Sequence, residues 1–134
     1  MPVRILILED DDDILELLST VLQGEGYEVQ QRNVLFENVS EVERFAPNLM
    51  MVDLFMGHAD AGWDFLQHLK THPSTMGIPL ILCTAGTLTA EQERFTQHHA
   101  IPIIFKPFEI DALKQLVHQS VGPPAQQSSS DTRQ

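Results

Sequence analysis

The sequence predicts an α/β domain of three layers, in which a five-stranded parallel sheet is covered by helices on both faces. Three observations lead there. Short runs of branched apolar residues alternate along the chain with segments of helical period. Acidic residues follow two of those runs directly. Finally, 134 residues with 43% hydrophobic content suit one compact domain with a sizeable core.

The elements follow in order. Val3 to Leu8 (VRILIL) is almost continuously apolar, as a strand covered on both faces must be. Ile14, Leu17, Leu18, Val21 and Leu22 then recur at helical spacing, and Gly24 or Gly26 closes that first helix. Tyr27 to Gln31 (YEVQQ) alternates instead, which marks a half-exposed edge strand. Ser40 with Glu43 reads as a capping box that opens a second helix carrying Val42, Phe45 and Ala46, stopped by Pro47. Leu49 to Val52 (LMMV) is the third strand, and Phe65, Leu66 and Leu69 form the apolar face of a third helix ending near Pro73. Leu80 to Cys83 (LILC) is the fourth strand. Thr89 with Gln92 caps a fourth helix whose apolar face is thin beyond Phe95. Ile101 to Phe105 (IPIIF) is the fifth strand, set at an edge by Pro102, and a fifth helix runs from about Glu109 to Ser120. Right-handed crossovers, with the second and fifth strands outermost, give the strand order 2-1-3-4-5, that of the flavodoxin-like (βα)5 three-layer sandwich.

Composition excludes several functions. With 19 Asp+Glu against 8 Lys+Arg and a net charge of −11, the chain lacks the basic clusters that bind nucleic acid or an anionic membrane. Its single cysteine, Cys83, rules out an internal disulfide and reads as a buried core residue. The first apolar run is too short for a signal peptide core or a membrane span, so a cytoplasmic protein is expected. His68 and His72 share a zinc-compatible spacing but show no third ligand, and His98–His99 reads as a helix end. His58 reads as a loop residue near Asp53, and Trp63 as part of the third helix's packing face. Residues 1–121 form the expected domain, and 122–134 (GPPAQQSSSDTRQ) a disordered tail or linker.

In an open parallel sheet, ligands meet the carboxyl ends of the strands. Here the first strand ends in Glu9 and Asp10, the third in Asp53, the fourth in Thr84 and the fifth in Lys106–Pro107. Three crowded carboxylates repel unless a cation lies among them or some are protonated. Hard oxygen ligands suit Mg²⁺, and Mn²⁺ also accepts such ligands. Asp53 can then serve as a nucleophile toward a phosphoryl group, with Lys106 neutralising its oxygens and Thr84 donating a hydrogen bond. Asp11, Asp12 and Asp13 read instead as favourable helix-start charges.

These residues carry a resemblance. ILILEDD (Ile5 to Asp11), MMVDLFM (Met50 to Met56), ILCTAG (Ile81 to Gly86) and FKPF (Phe105 to Phe108) stand in order, each at a predicted strand end. Together they resemble the receiver domain of two-component response regulators, of the CheY-like superfamily, here as an apparently stand-alone domain. The resemblance implies that Asp53 is the phosphoacceptor for a histidine kinase or histidine phosphotransfer protein. It implies that Glu9, Asp10, Asp53 and the Phe55 carbonyl hold the metal, that Thr84 and Lys106 are the switch hydroxyl and phosphate-binding lysine, and that the Lys106–Pro107 peptide is cis. It further implies a monomer or weak dimer that signals through an unknown downstream protein and catalyses only its own phosphorylation and dephosphorylation. The chain departs from the family in three respects. The loop after Asp53, DLFMGHADAGW, lacks the family's proline and is one residue longer before Gly62. Ile103 stands where the family carries Tyr or Phe, and this sequence holds no output domain, so a stand-alone receiver is expected unless the chain is a piece of a longer protein. A phosphorylation-independent scaffold is the alternative reading. An aspartyl-phosphate hydrolase ranks last, because Phe55 occupies the place of its second acid.

Overall fold

A computed structural model describes residues 2–57 and 60–122. The strands are β1 (Arg4–Leu8), β2 (Glu28–Arg32), β3 (Leu49–Asp53), β4 (Leu80–Thr84) and β5 (Ile103–Phe105). They form one sheet of order β2-β1-β3-β4-β5 in which every adjacent pair is parallel, as the sequence predicts. Between them lie α1 (Asp12–Gly24), a 3₁₀-helix (Val39–Phe45), α2 (Ala61–Thr71), α3 (Ala90–His98) and, after β5, α4 (Ile110–Val121).

Alternation along the central strands builds two cores, one per face of the sheet. Leu6, Leu8, Met50, Val52 and Leu82 pack toward the 3₁₀-helix and α2. Ile5, Ile7, Leu49, Met51, Ile81 and Cys83 pack toward α1 and α4. Both sets are buried, so the continuous apolar runs reflect two covered faces. Burial pushes the Cys83 thiol up to about 12, the state of an unreactive core residue.

Caps follow the sequence at most ends. The Asp11 side chain accepts from the Asp13 and Ile14 amides and starts α1, and Gly26 lies beyond its end at φ 101°. At α3, Thr89 and Gln92 form the expected capping box, and the helix ends at His98 with His99 as its cap. The second helix is a correction. The segment is 3₁₀, and its start is capped by Asn38, whose side chain accepts from the Ser40 amide, rather than by a Ser40–Glu43 box. Val39, Val42 and Phe45 recur every third residue, which matches three residues per turn. Ala46, left-handed at φ 44°, ends it before Pro47. A second adjustment concerns β5, which starts at Ile103 because Pro102 has no amide to give; the Pro102 carbonyl still accepts from Leu82 N at 2.9 Å. The expected tail beyond Gly122, and His58, lie outside the described residues.

Candidate functional site

The parallel register delivers the predicted residues to one rim. Glu9 and Asp10 follow β1, Asp53 and Thr84 end β3 and β4, and Lys106 follows β5. Gly62 lets α2 start close to this rim, since a Cβ there would run into the Leu54 carbonyl oxygen.

Lys106 is the hub. Its Nζ lies 2.7 Å from Glu9 Oε1 and 3.3 Å from Asp53 Oδ2. Burial works to lower the lysine's pKa, but the close Glu9 carboxylate and the charge of Asp53 outweigh it, holding the ammonium above its ordinary range. Glu9 is 1% exposed. Burial pushes its carboxyl up to about 7, opposed by Lys106 and reinforced by the charge of Asp53.

Main-chain donors hold the acids in place. Asp11 N donates to Glu9 Oε2 at 3.2 Å, and Phe55 N donates to Asp53 Oδ1 at 3.0 Å. Glu9, Asp10 and Asp53 each offer a carboxylate oxygen within 4.8 Å of the others. Glu9 Oε1 is buried beside the Lys106 charge yet receives no well-aligned hydrogen bond. Asp10 is exposed, which suits a hard divalent ion, since such an ion keeps several waters when bound. The donor set therefore fits such an ion, with oxygen ligands only. The zinc-spaced His68 and His72 are not joined by a third ligand in any such cluster among the described residues.

Thr84 is fully buried, and its Oγ1 accepts from Gly86 N at 3.3 Å, which leaves the hydroxyl proton uncommitted in this contact. The Lys106–Pro107 peptide is cis. One feature of the rim escapes sequence reasoning. The Phe55 side chain, half exposed, lies against Gly86, so that a Cβ at Gly86 would come within 2.7 Å of the ring. Only the bare glycine two residues past the β4 hydroxyl hints at this contact. Ile103, at the family's aromatic position, is part-buried and packs with the α2-side core.

Residues 5–118 match the family model of the response regulator receiver domain. The chain is 30% identical over 110 residues to the DNA-binding dual master transcriptional regulator RpaA of Synechocystis, an alignment covering 82% of this chain and 45% of that protein. It is 29% identical to the transcriptional regulatory protein GlrR of Escherichia coli, over 90% of this chain and 26% of GlrR. The chain thus spans less than half the length of these curated relatives. Among solved structures, a CheY-like response regulator receiver domain protein from Methanospirillum hungatei superposes with TM-score 0.77 at 26% identity, covering 95% of this chain and 99% of that one. The N-terminal domain of a response regulator receiver protein from Methanoculleus marisnigri gives TM-score 0.68 at 28% identity, covering 87% and 94%.

Proposed function

The chain belongs to the response regulator receiver domain family, and on that footing we propose that it is a phosphoacceptor switch with Asp53 as the accepting residue. The observation that carries this reading is the convergence of Asp53 with Lys106 at 3.3 Å inside a cluster of three acids. A carboxylate oxygen of Asp53 attacks the phosphorus of a phosphohistidine on a histidine kinase or histidine phosphotransfer protein. A P–O bond forms, the P–N bond breaks, and its electron pair stays on the imidazole nitrogen. Glu9, Asp10, Asp53 and the Phe55 carbonyl would hold Mg²⁺, or Mn²⁺ in its place. When bound, that ion supplies positive charge to the phosphoryl oxygens.

The remaining work belongs to this chain's side chains. Phe55 N–H steadies one Asp53 oxygen by hydrogen bond. Lys106, kept charged by its two acids, moves part of its attraction to the incoming phosphoryl oxygens. Thr84 turns its hydroxyl proton toward the same group, and that rotation shifts the segment leading into α3. The chain turns over no external substrate; it catalyses only its own phosphorylation and dephosphorylation. Output passes through contacts with a downstream protein, from a cytoplasmic monomer or weak dimer. No helix among the described residues is long and apolar enough to cross a membrane. The DNA binding in the relative's name belongs to a protein of which the alignment covers only 45%, and it is not carried over.

A second reading, a scaffold that works without phosphorylation, rests on Ile103 and the lengthened loop after Asp53. Intact-mass spectrometry after incubation with acetyl phosphate and Mg²⁺ separates the two. A phosphate adduct that disappears in Asp53→Asn is the expected result; no adduct at any Mg²⁺ concentration makes the scaffold the better account.

A further inference from the structure

The 3₁₀-helix leaves part of α2 without a cover. Two adjoining cavities, of about 540 and about 410 Å³, lie between α2 and the segment from Asn33 to Val39, and they share Glu37, Phe65 and His68 as lining. Volumes of this size accept several side chains. The wall is apolar where Val34, Leu35, Phe36 and Phe65 line it, and Val34 is 57% exposed there. Standing at the mouth of a cavity with an apolar wall, this side chain extends the apolar surface that a partner can cover.

The rim gives the chemistry of the cover. Asp10, Glu37 and Asp64 line the larger cavity, all three exposed, and among the described residues neither lysine nor arginine lines it. The neighbouring guanidinium, Arg32, is folded back, 4.0 Å above the Phe36 ring and bonded through Nε to the Val34 carbonyl at 3.1 Å. That stacking already covers the Phe36 face with a cation on an apolar stem and leaves Val34 as the exposed part of the wall.

We infer that this groove is a docking site for an amphipathic basic segment of a partner protein, with apolar side chains on Val34 and Phe65 and lysine or arginine heads on Glu37 and Asp64. The mode is the familiar one of an apolar stripe laid into a groove, with charges at its border setting orientation. Docking here needs no phosphoryl group, so its test stands apart from that of Asp53.

The test uses the full chain and a short fluorescent peptide built of leucine and lysine in an amphipathic helical repeat, read by anisotropy without any phosphoryl donor. Because the chain is acidic overall, specificity is judged between two double variants of equal net charge, each taking one acid from a helix's first turn. Glu37→Lys with Asp64→Lys should weaken binding about tenfold or more, and Glu16→Lys with Glu93→Lys less than about threefold. Val34→Asp alone should weaken it about tenfold. Equal losses in the two double variants would mean diffuse attraction and overturn the proposal, as would undiminished binding by Val34→Asp. Equal binding of a peptide with glutamine in place of lysine would also overturn it. Sedimentation of the chain alone provides the last arm: self-association abolished by Val34→Asp would assign the groove to a second copy instead.

Discussion

Helices α1 and α3 both rise from the reactive rim, and both start from well-made caps, yet they are held in opposite ways. The side of α1 that meets the sheet buries Leu15, Leu18, Ser19 and Leu22. By contrast α3 buries only Thr96, with Phe95 resting edge-on against Trp63 at 5.2 Å between ring centroids. A cap contributes about 1 kcal/mol, whereas a buried leucine contributes several. The helix after Glu9 and Asp10 is therefore fixed by the core, and the helix after Thr84 mainly by its own ends. Rigidity and compliance therefore divide the rim: the Glu9–Asp10 side is anchored, and the Thr84 side can shift at low cost.

The largest effect should come from attacking the anchored helix. Leu22→Ala is expected to lower unfolding free energy by about 3 kcal/mol in urea melts, against about 1 kcal/mol for Phe95→Ala. Equal losses would break the comparison. Mg²⁺ should act on the anchored side: at ten times its dissociation constant it should add about 1.4 kcal/mol of stability, seen as a raised melting temperature. Asp10→Asn should remove most of that gain.

Smaller effects sharpen the compliant side. Thr89→Ala removes half of the capping box and should cost about 1 kcal/mol, with amide hydrogen exchange rising in α3 while α1 stays protected. Faster exchange in α1 instead would contradict the assignment. Gly86→Ala should cost least, under about 1 kcal/mol in the same urea melts, because the atom it displaces is the end of a half-exposed Phe55 ring and not backbone.

Much of this was legible in the residues. Continuous apolar runs such as LMMV fixed the buried strands, because a strand covered on both faces has no polar side to display. The rim followed from the strands, since Asp53, Thr84 and Lys106 need only the parallel order to converge. Where sequence reasoning failed, local signals competed. Ser40 and Glu43 have the right spacing for a capping box, but Asn38 lies where the chain is still extended and takes the cap, and the apolar residues follow a three-residue period. The Phe55–Gly86 contact and the groove beside Val34 depend on how loops from different strands meet, and no spacing along one segment encodes that.

The sheet's register has a consequence for any preparation of this protein. Asp53 is paired with Cys83, and Thr84 with Phe105. A slip of one residue between β3 and β4 would carry every side chain of the slipped strand to the other face, exchanging the residues of the two cores and changing where Asp53 and Thr84 stand relative to each other. On the reading proposed for Asp53, labelling by acetyl phosphate requires that register, so a preparation that accepts the phosphoryl group contains molecules whose strands found their partners.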